Sequence, residues 1–306
     1  MIWAALTGAF FTLALAGFAC FYAACARKDR VFTPVGAPDT CKGRYVAACI
    51  EAYEQLRVQP HEDWRLTSFD GKKLRAELYP NGQQKNFLVM VHGYHASPVY
   101  DFGCIASFYY RLGYGLLLVT QRAHRESEGR FITYGAKESR DCLDFCRALS
   151  KRFSGCRIIL HGISMGGATV MLAGGLGLPE NVKGIIDDCG YTTPLEELVY
   201  AVKNRWRLPA AGAYAAALYA RLLLGVSLRR ASVPAAAAAN PLPKLFIHGT
   251  EDDLVPYEMG RRNFEAAAGE KHFLSVPGAG HALSHAADPD RVENALKTFT
   301  ANILDS

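Results

Sequence analysis

The stretch Gly162-Ile163-Ser164-Met165-Gly166 decides how this chain is interpreted. It follows the apolar run Arg157–Leu160, which is typical of a buried strand, and it precedes Gly167–Ala173, which is typical of a helix. A serine between two such glycines, where a strand turns sharply into a helix, is a nucleophile elbow. The turn strains the serine backbone, so its neighbours must be small. We therefore expect the hydroxyl of Ser164 to project above a sheet, beside a free N–H at the start of the next helix.

Apolar runs and helical stretches alternate over most of the chain. Trp64–Tyr79 alternates and is broken by Asp70-Gly71, which is a hairpin signal between two strands. Further apolar runs occur at Phe87–Val91, Gly115–Val119, Arg157–Leu160, Val182–Ile186, Lys244–Ile247 and His272–Val276. Helical stretches lie between them, as around Tyr100–Leu112 and Gly135–Arg152. This pattern predicts an α/β fold with a mainly parallel sheet covered on both faces, and ligands beyond the carboxyl ends of its strands.

The chain divides into three predicted parts. Residues 1–26 form an apolar segment, residues 27–60 a linker with a helix, and residues 61–306 one globular domain. Within that domain, residues 191–240 break the alternation of strands and helices, because they are typical of helices and a loop without an obvious strand. We expect them to form a lid over the site. The alanine tract Ala235–Ala239 in this lid is either a helix or a linker.

The first 26 residues are predicted to anchor the protein in a membrane. Ile2–Ala26 carries no charge, and about 25 helical residues at roughly 1.5 Å each are enough to cross a hydrocarbon core of about 30 Å. A cleaved signal peptide would have a basic start and a shorter apolar core. Arg27, Lys28 and Arg30 follow, so the positive-inside rule predicts a single span with the catalytic domain in the cytoplasm. A buried core helix is the alternative, although the run is apolar all round.

Composition argues against several classes of protein. The 306 residues are 50% hydrophobic, and the net charge of +5 is scattered without a Lys/Arg stripe, so no nucleic-acid partner is expected. The nine cysteines include no CxxC pair; Cys142 and Cys146 are expected to pack on a helix rather than bind a metal. The cysteines show no disulfide framework, so we expect them to be reduced thiols. Reduced thiols favour a domain on the cytoplasmic face of the membrane. No P-loop, dinucleotide fingerprint or zinc spacing occurs, so no cofactor or metal is expected.

A nucleophilic serine needs a base, and we predict that His281 supplies it. The small residues Pro277–Gly280 let a loop carry its imidazole towards Ser164, and the chain order serine, acid, histidine fits. His285, one helical turn further on, is the second candidate. His161 directly precedes the elbow and is expected to be a packed residue.

The acid is expected after a strand that lies between the serine and the histidine. The turn after Leu245–Ile247 supplies three adjacent candidates, which are Glu251, Asp252 and Asp253. Another strand ends in two fallback candidates, which are Asp187 and Asp188.

Residues 64–304 resemble the alpha/beta-hydrolase superfamily, in particular bacterial hydrolases of the prolyl-oligopeptidase and serine-aminopeptidase-like branch. The resemblance implies an eight-stranded sheet with helices on both faces and a helical lid. The family's H-G-x-x-D-x-x-V-P turn matches His248–Pro256, which selects Asp252 as the acid and leaves Asp253 as a solvated neighbour or a helix cap.

The resemblance also extends to the oxyanion hole, which needs two N–H donors. Met165, directly after the serine, supplies one donor. The family's turn, H-G followed by an aromatic or small residue, resembles His92-Gly93-Tyr94, which implies that the N–H of Tyr94 is the second donor. Gly93 then allows the backbone to approach the substrate, and the ring of Tyr94 is expected to line the acyl pocket.

Three functions follow as hypotheses. The first is a serine hydrolase, esterase or lipase-like, that cleaves a carboxylic ester through an acyl-enzyme. The second is a serine peptidase of the same fold, in which Glu196 or Glu197 would grip the substrate's amino group. The third is a non-catalytic, membrane-tethered binding module, against which the presence of Ser164, Asp252 and His281 argues.

Overall fold

The computed structural model describes residues 2–28, 40–82 and 85–304, so residues 29–39 of the predicted linker lie outside the described part. Within these ranges one sheet is built from β1 Glu62–Thr67, β2 Lys73–Tyr79, β3 Asn86–Val91, β4 Gly115–Thr120, β5 Arg157–Ile163, β6 Val182–Asp188, β7 Lys244–Gly249 and β8 Lys271–Val276. The strand order is β1-β2-β4-β3-β5-β6-β7-β8. The strand β2 is antiparallel to both neighbours, and all other pairs are parallel. The predicted eight-stranded, mainly parallel sheet is confirmed.

Helices cover both faces of the sheet. They are α1 Ile2–Cys25, α2 Cys41–Arg57, α3 Pro98–Arg111, α4 Glu138–Arg152, α5 Met165–Gly174, α6 Pro194–Tyr200, α7 Ala211–Leu224, α8 Val233–Ala239, α9 Tyr257–Ala266, α10 Ser284–Ala287 and α11 Pro289–Leu304. The core on one face contains side chains of α4, α5, α7 and α8, and the core on the other contains side chains of α2, α3 and α11.

The apolar runs form strands because both of their faces are buried. In β3, Phe87, Val89 and Val91 belong to one core, whereas Leu88 and Met90 belong to the other. Successive side chains of a strand point to opposite faces, so a strand between two helical layers has to be apolar at every position. This burial holds the carboxyl ends of the central strands together, where the candidate site lies.

The N-terminal helix α1 packs on the globular domain at its C-terminal end. Phe21, Ala24 and Cys25 are buried in the core, and Ala26 forms a β-bridge with Phe131. Of the helices in the described part of the chain, none combines the length and the apolar character that crossing a membrane requires, so the predicted transmembrane helix is not supported.

The segment between β6 and β7 is helical, as expected of the predicted lid. It contains α6, a turn of π-helix at Ala201–Arg205, α7 and α8. The alanine tract lies in α8, a helix that begins where the Ser232 hydroxyl accepts a hydrogen bond from the N–H of Ala235 at 3.3 Å. The helix α7 ends at Gly225, which adopts the left-handed conformation that glycine tolerates, with φ of 69°.

Candidate active site

The elbow serine lies in a strained turn between β5 and α5. Ser164 has φ of 58° and ψ of −119°, and its N–H donates to the carbonyl of Asp188 at 2.7 Å. A Cβ on Gly162 would lie 2.1 Å from the carbonyl oxygen of Gly166, and one on Gly166 would lie 1.8 Å from the carbonyl oxygen of Val91. Only glycines allow β3, β5 and α5 to pack this closely around the serine.

Replacing Gly166 by alanine should therefore lower stability and disturb the elbow. The new methyl group would overlap backbone atoms, and overpacking of this kind costs about 1–3 kcal/mol or more. The melting temperature of Gly166→Ala measures the effect. Gly280→Ala is the control, since its Cβ would meet no atom closer than 3.7 Å and the melting temperature should change little. Equal melting temperatures for wild type and Gly166→Ala would contradict the packing described here.

A chain of hydrogen bonds joins three side chains that lie far apart in the sequence. The Nε2 of His281 lies 2.8 Å from the Oγ of Ser164, and its Nδ1 lies 2.8 Å from the Oδ2 of Asp252. His281 is carried on the loop between β8 and α10, and Asp252 on the turn after β7. The structure thus brings together the three residues that the sequence nominated as nucleophile, base and acid.

The carboxylate of Asp252 is buried and held from several sides. Its Oδ1 accepts hydrogen bonds from the N–H groups of Leu254 and Val255, at 3.0 Å and 2.8 Å. Burial alone would raise the pKa of Asp252, but the charge of His281 and hydrogen bonds from His248 and His281 outweigh it, and the pKa is lowered. The acid is therefore ionised at neutral pH and fixes the orientation of the imidazole.

The other candidate acids have different environments. Asp187 and Asp188 are buried without a hydrogen bond to His281, and burial raises the pKa of each to about 7. The Oδ1 of Asp187 instead accepts from the N–H of Gly190 at 2.9 Å. Glu251 and Asp253 are exposed. Asp253 does not cap α9, whose capping position is Pro256.

The second candidate base, His285, and the packed residue His161 both make their contacts away from Ser164. The Nδ1 of His285 lies 3.2 Å from the hydroxyl of Tyr45, and its Nε2 lies 3.1 Å from the Oε1 of Glu293. His161 is fully buried beside Tyr109, and burial lowers its pKa to about 3. Neither imidazole is hydrogen-bonded to Ser164.

The loop after β3 lies directly beside the elbow. A Cβ on Gly93 would lie 3.3 Å from the Cβ of Ser164, so this backbone passes close to the elbow serine. Tyr94 and Met165 line the same cavity as Ser164. The ring of Tyr94 stacks on Tyr134 with 5.1 Å between centroids, which puts it in the cavity wall.

Two residues that support the site were not predicted from the sequence. Asp101, in the first turn of α3, accepts a hydrogen bond from the N–H of Gly93 at 2.7 Å and so holds the loop after β3; burial raises its pKa to about 6. The Nε2 of His248 lies 3.4 Å from the Oδ2 of Asp252 and 3.0 Å from the carbonyl oxygen of Val255. The sequence signal that could have indicated Asp101 is its position as an acidic residue in the first turn of the helix that follows the loop after β3.

The end of α1 also supports the site, which the sequence did not indicate. The carbonyl oxygen of Ala24 accepts hydrogen bonds from the hydroxyls of Tyr94 and Tyr134, at 2.7 Å and 2.8 Å. These are the two rings that stack in the cavity wall. The N-terminal segment is therefore part of the structure that positions the loop after β3.

A cavity of about 680 Å³ opens above Ser164 and His281. This volume is typical of sites for small molecules. Its apolar walls include Tyr94, Tyr134, Tyr191, Leu198, Trp206 and Val255. Its charged lining consists of five basic residues, Arg27, Lys28, Lys42, Arg125 and Arg205, and two acidic ones, Asp101 and Glu197.

Three possible metal ligands also meet beside the serine. One ligand atom from each of Cys189, Asp252 and His281 lies within 4.8 Å of the others. Burial raises the pKa of the Cys189 thiol well above its usual value, so it stays protonated and is a poor ligand. Asp252 and His281 already bond to each other. This donor set fits a hydrogen-bond chain better than a metal.

Comparisons with known proteins identify the family. A family model described as the alpha/beta hydrolase family matches residues 88–295. The uncharacterized protein YqkD of Bacillus subtilis is 28% identical over 197 residues, or 64% of this chain, and the chain covers 65% of that relative's length, less than two thirds.

Solved structures share the fold. A Pyrococcus furiosus esterase, Pf2001, superposes with a TM-score of 0.67 at 20% identity, over 91% of this chain and 98% of its own. A Mycobacterium tuberculosis puromycin-hydrolyzing peptidase superposes with a TM-score of 0.63 at 18% identity, over 80% of this chain and 40% of its own. The sheet order, the elbow and the family match together show that this chain belongs to the alpha/beta hydrolase family.

Proposed function

We propose that this hydrolase cleaves carboxylic esters through an acyl-enzyme formed on Ser164. His281 takes the proton of Ser164 as the serine oxygen attacks the ester carbonyl, and Asp252 stabilises the imidazolium that results. The N–H groups of Tyr94 and Met165 hold the negative oxygen of the tetrahedral intermediate. After the alcohol leaves, His281 activates a water molecule that releases the acid and regenerates the serine.

The observation that carries this proposal is the pair of 2.8 Å hydrogen bonds from Ser164 through His281 to Asp252. Ser164 and His281 both line a cavity of a size typical for small molecules. A base within hydrogen-bond reach of the nucleophile, itself oriented by an ionised acid, is the arrangement that activates a serine hydroxyl. The same arrangement argues against a binding module that has lost catalysis.

The charge of the cavity favours an ester over a peptide substrate. Five basic side chains against two acidic ones make the lining a poor environment for the ammonium group of a peptide. A neutral or anionic ester with an apolar acyl group fits the tyrosine-rich wall and the basic lining better. We therefore place the acyl group beside Tyr94 and Tyr134.

Activity-based labelling tests the proposal. The full-length protein should react with a fluorophosphonate, and mass mapping should find the adduct on Ser164. p-Nitrophenyl esters of graded acyl length should then be hydrolysed. The acyl length with the highest turnover indicates how long an acyl group the apolar wall accommodates. A protein that neither labels nor hydrolyses any ester of the series would be a non-catalytic member, contrary to this proposal.

Glu197 favours a second function, a serine peptidase. Its carboxylate lines the cavity, and its Oε2 is buried without a hydrogen-bond partner among the described residues. Burial, together with the charge of Asp252, raises its pKa to about 8. An ionised carboxylate in that place would attract a cationic group on the substrate. One structural neighbour is named a puromycin-hydrolyzing peptidase, although its likeness extends only to the fold.

A pair of isosteric anilides tests this alternative. One carries a trimethylammonioacetyl group and the other an uncharged 3,3-dimethylbutanoyl group, so only the fixed charge differs. Glu197 is protonated at low pH and ionises as the pH rises through about 8, so kcat/KM for the charged anilide relative to the neutral one should rise over that range.

Glu197→Gln should remove this rise with pH. Glu196→Gln is the control, because Glu196 pairs with Arg262 outside the cavity lining and its loss should leave the ratio unchanged. A ratio that is independent of pH in the wild type would exclude Glu197 as a site for cations.

A further inference from the structure

The helices α1 and α7 pack against each other through small residues. A Cβ on Gly17 of α1 would lie 3.1 Å and 3.2 Å from Tyr219 and Ala215 of α7. The hydroxyl of Tyr219 donates to the carbonyl of Ala14 at 2.7 Å, and its ring meets the edge of Phe18 with 5.7 Å between centroids. Because Phe21, Ala24 and Cys25 of α1 are also buried in the core, the pair packs on the domain and exposes its outer side.

That outer side is apolar. We define the α1–α7 face as the exposed side chains Phe11, Leu15, Phe18 and Tyr22 of α1 and Tyr214, Leu218, Leu222 and Leu223 of α7. The four residues of α1 are spaced by three or four positions, and Tyr214, Leu218 and Leu222 of α7 by four, which puts each set on one side of its helix. Leu223 follows Leu222 directly and widens the apolar side of α7. Their exposure ranges from 39% to 70%, and they are eight of the fourteen large apolar side chains that are exposed in the described part of the chain. Such concentration marks an interaction surface rather than scattered surface residues.

The border of the α1–α7 face is basic. Between Leu198 and Thr250 the sequence has no acidic residue, and residues 2–28 have none either. The exposed basic side chains that flank the two helices are Lys28, Lys203, Arg205, Arg207, Arg229 and Arg230, and Arg221 lies on α7 itself. An apolar face whose flanking segments carry a net positive charge complements an anionic lipid surface.

The mouth of the cavity adjoins this face. Trp206 and Leu208, on the loop that leads into α7, are 48% and 56% exposed, and Trp206 also lines the cavity above Ser164. Arg205 and Lys28 line the same cavity. A surface that covered the α1–α7 face would therefore also lie beside the entrance to the candidate active site.

We propose that the α1–α7 face docks on the surface of an anionic lipid bilayer. The bilayer takes up the eight apolar side chains while the basic border contacts the lipid headgroups. A second copy of this chain fits less well, since a two-fold contact would bring the same basic borders together. The proposal concerns binding and does not depend on the chemistry proposed for Ser164, although an ester that enters from the lipid would reach the cavity directly.

Vesicle flotation of the full-length protein tests the docking. The wild type should float with phosphatidylcholine vesicles that contain phosphatidylglycerol, and more weakly with phosphatidylcholine alone or at high salt. Changing Leu218, Leu222 and Leu223 together to glutamine should weaken partitioning by about a hundredfold. Changing Arg207, Arg229 and Arg230 to glutamine should weaken it by about fivefold for each residue, on anionic vesicles only.

A matched control tests whether flotation depends on the α1–α7 face or on exposed apolar side chains in general. Changing Val58, Leu112 and Leu176 to glutamine removes three exposed apolar side chains that lie outside the face, and it should leave flotation unchanged. Turnover of a soluble p-nitrophenyl ester, measured on the same samples, reports on the active site separately. A wild type that does not float, or a leucine variant that floats equally well, would overturn the docking whatever the turnover shows. So would a wild-type dimer that the leucine changes convert to a monomer, since a second copy would then cover the face.

Discussion

Ser164→Ala should abolish ester hydrolysis and fluorophosphonate labelling. In this structure the Oγ of Ser164 lies 2.8 Å from the Nε2 of His281, and no other atom in the described part of the chain is joined to that nitrogen by a hydrogen bond. Loss of a nucleophile that acts with such a base lowers kcat by about 10⁶-fold. The remaining N–H donors and the cavity should still bind substrate, so KM should change far less than kcat.

The measurement is p-nitrophenyl ester turnover with mass-mapped labelling, and it needs a serine control. Ser154 is exposed in the turn before β5, away from the cavity lining, and Ser154→Ala should keep full activity. Because the methyl group of alanine fits the elbow, Ser164→Ala should melt close to the wild type. A fluorophosphonate adduct on the folded Ser164→Ala protein would show that another residue is the nucleophile.

Asp252→Asn should lower kcat by about 10⁴-fold with little change in the fold. The Oδ2 of Asp252 accepts the hydrogen bond that keeps the proton of His281 on Nδ1, which leaves Nε2 free to accept the proton of Ser164. An asparagine can present its N–H₂ group instead, which favours the other tautomer, and a protonated Nε2 cannot act as the base. The charge that stabilises the imidazolium is lost as well.

The neighbouring carboxylate offers a matched control. Asp253→Asn removes the same charge one residue away, but Asp253 is exposed and points to solvent, so kcat should stay within about twofold on the usual scale of surface changes. If Asp252→Asn retained wild-type kcat, or if Asp187→Asn or Asp188→Asn had the larger effect, the assignment of the acid would be wrong. Steady-state kinetics of the four variants at neutral pH distinguish these cases.

Much of the fold could be predicted because its signals are local. A strand between two helical layers has to be apolar along its buried length, as Phe87–Val91 of β3 and Gly115–Val119 of β4 are, so apolar runs of this kind predict a parallel sheet. Gly162 and Gly166 predict the elbow because no other residue fits beside the carbonyls they contact. The sequence likewise nominated Ser164, Asp252 and His281, by motif and chain order.

The contacts that the N-terminal segment makes with the domain could not be predicted from local sequence patterns. An uncharged run of this length predicts a membrane span by composition alone. The structure instead packs α1 on α7 and buries Ala24 and Cys25 in its last turn, where Ala24 accepts hydrogen bonds from two cavity tyrosines. Those contacts join residues 70 and 110 positions apart, and no periodicity within α1 encodes them.

The sequence by itself determined the class of fold and the turn that carries the serine, since both follow from side-chain periodicity and from the space that glycine leaves. Only the tertiary structure decided which carboxylate meets His281, which residues hold the loop beside Ser164, and which side of α1 and α7 stays open. Those outcomes depend on distances of a few ångströms between segments that are remote in the chain. Such distances are set by how the layers pack, and local sequence patterns do not contain them.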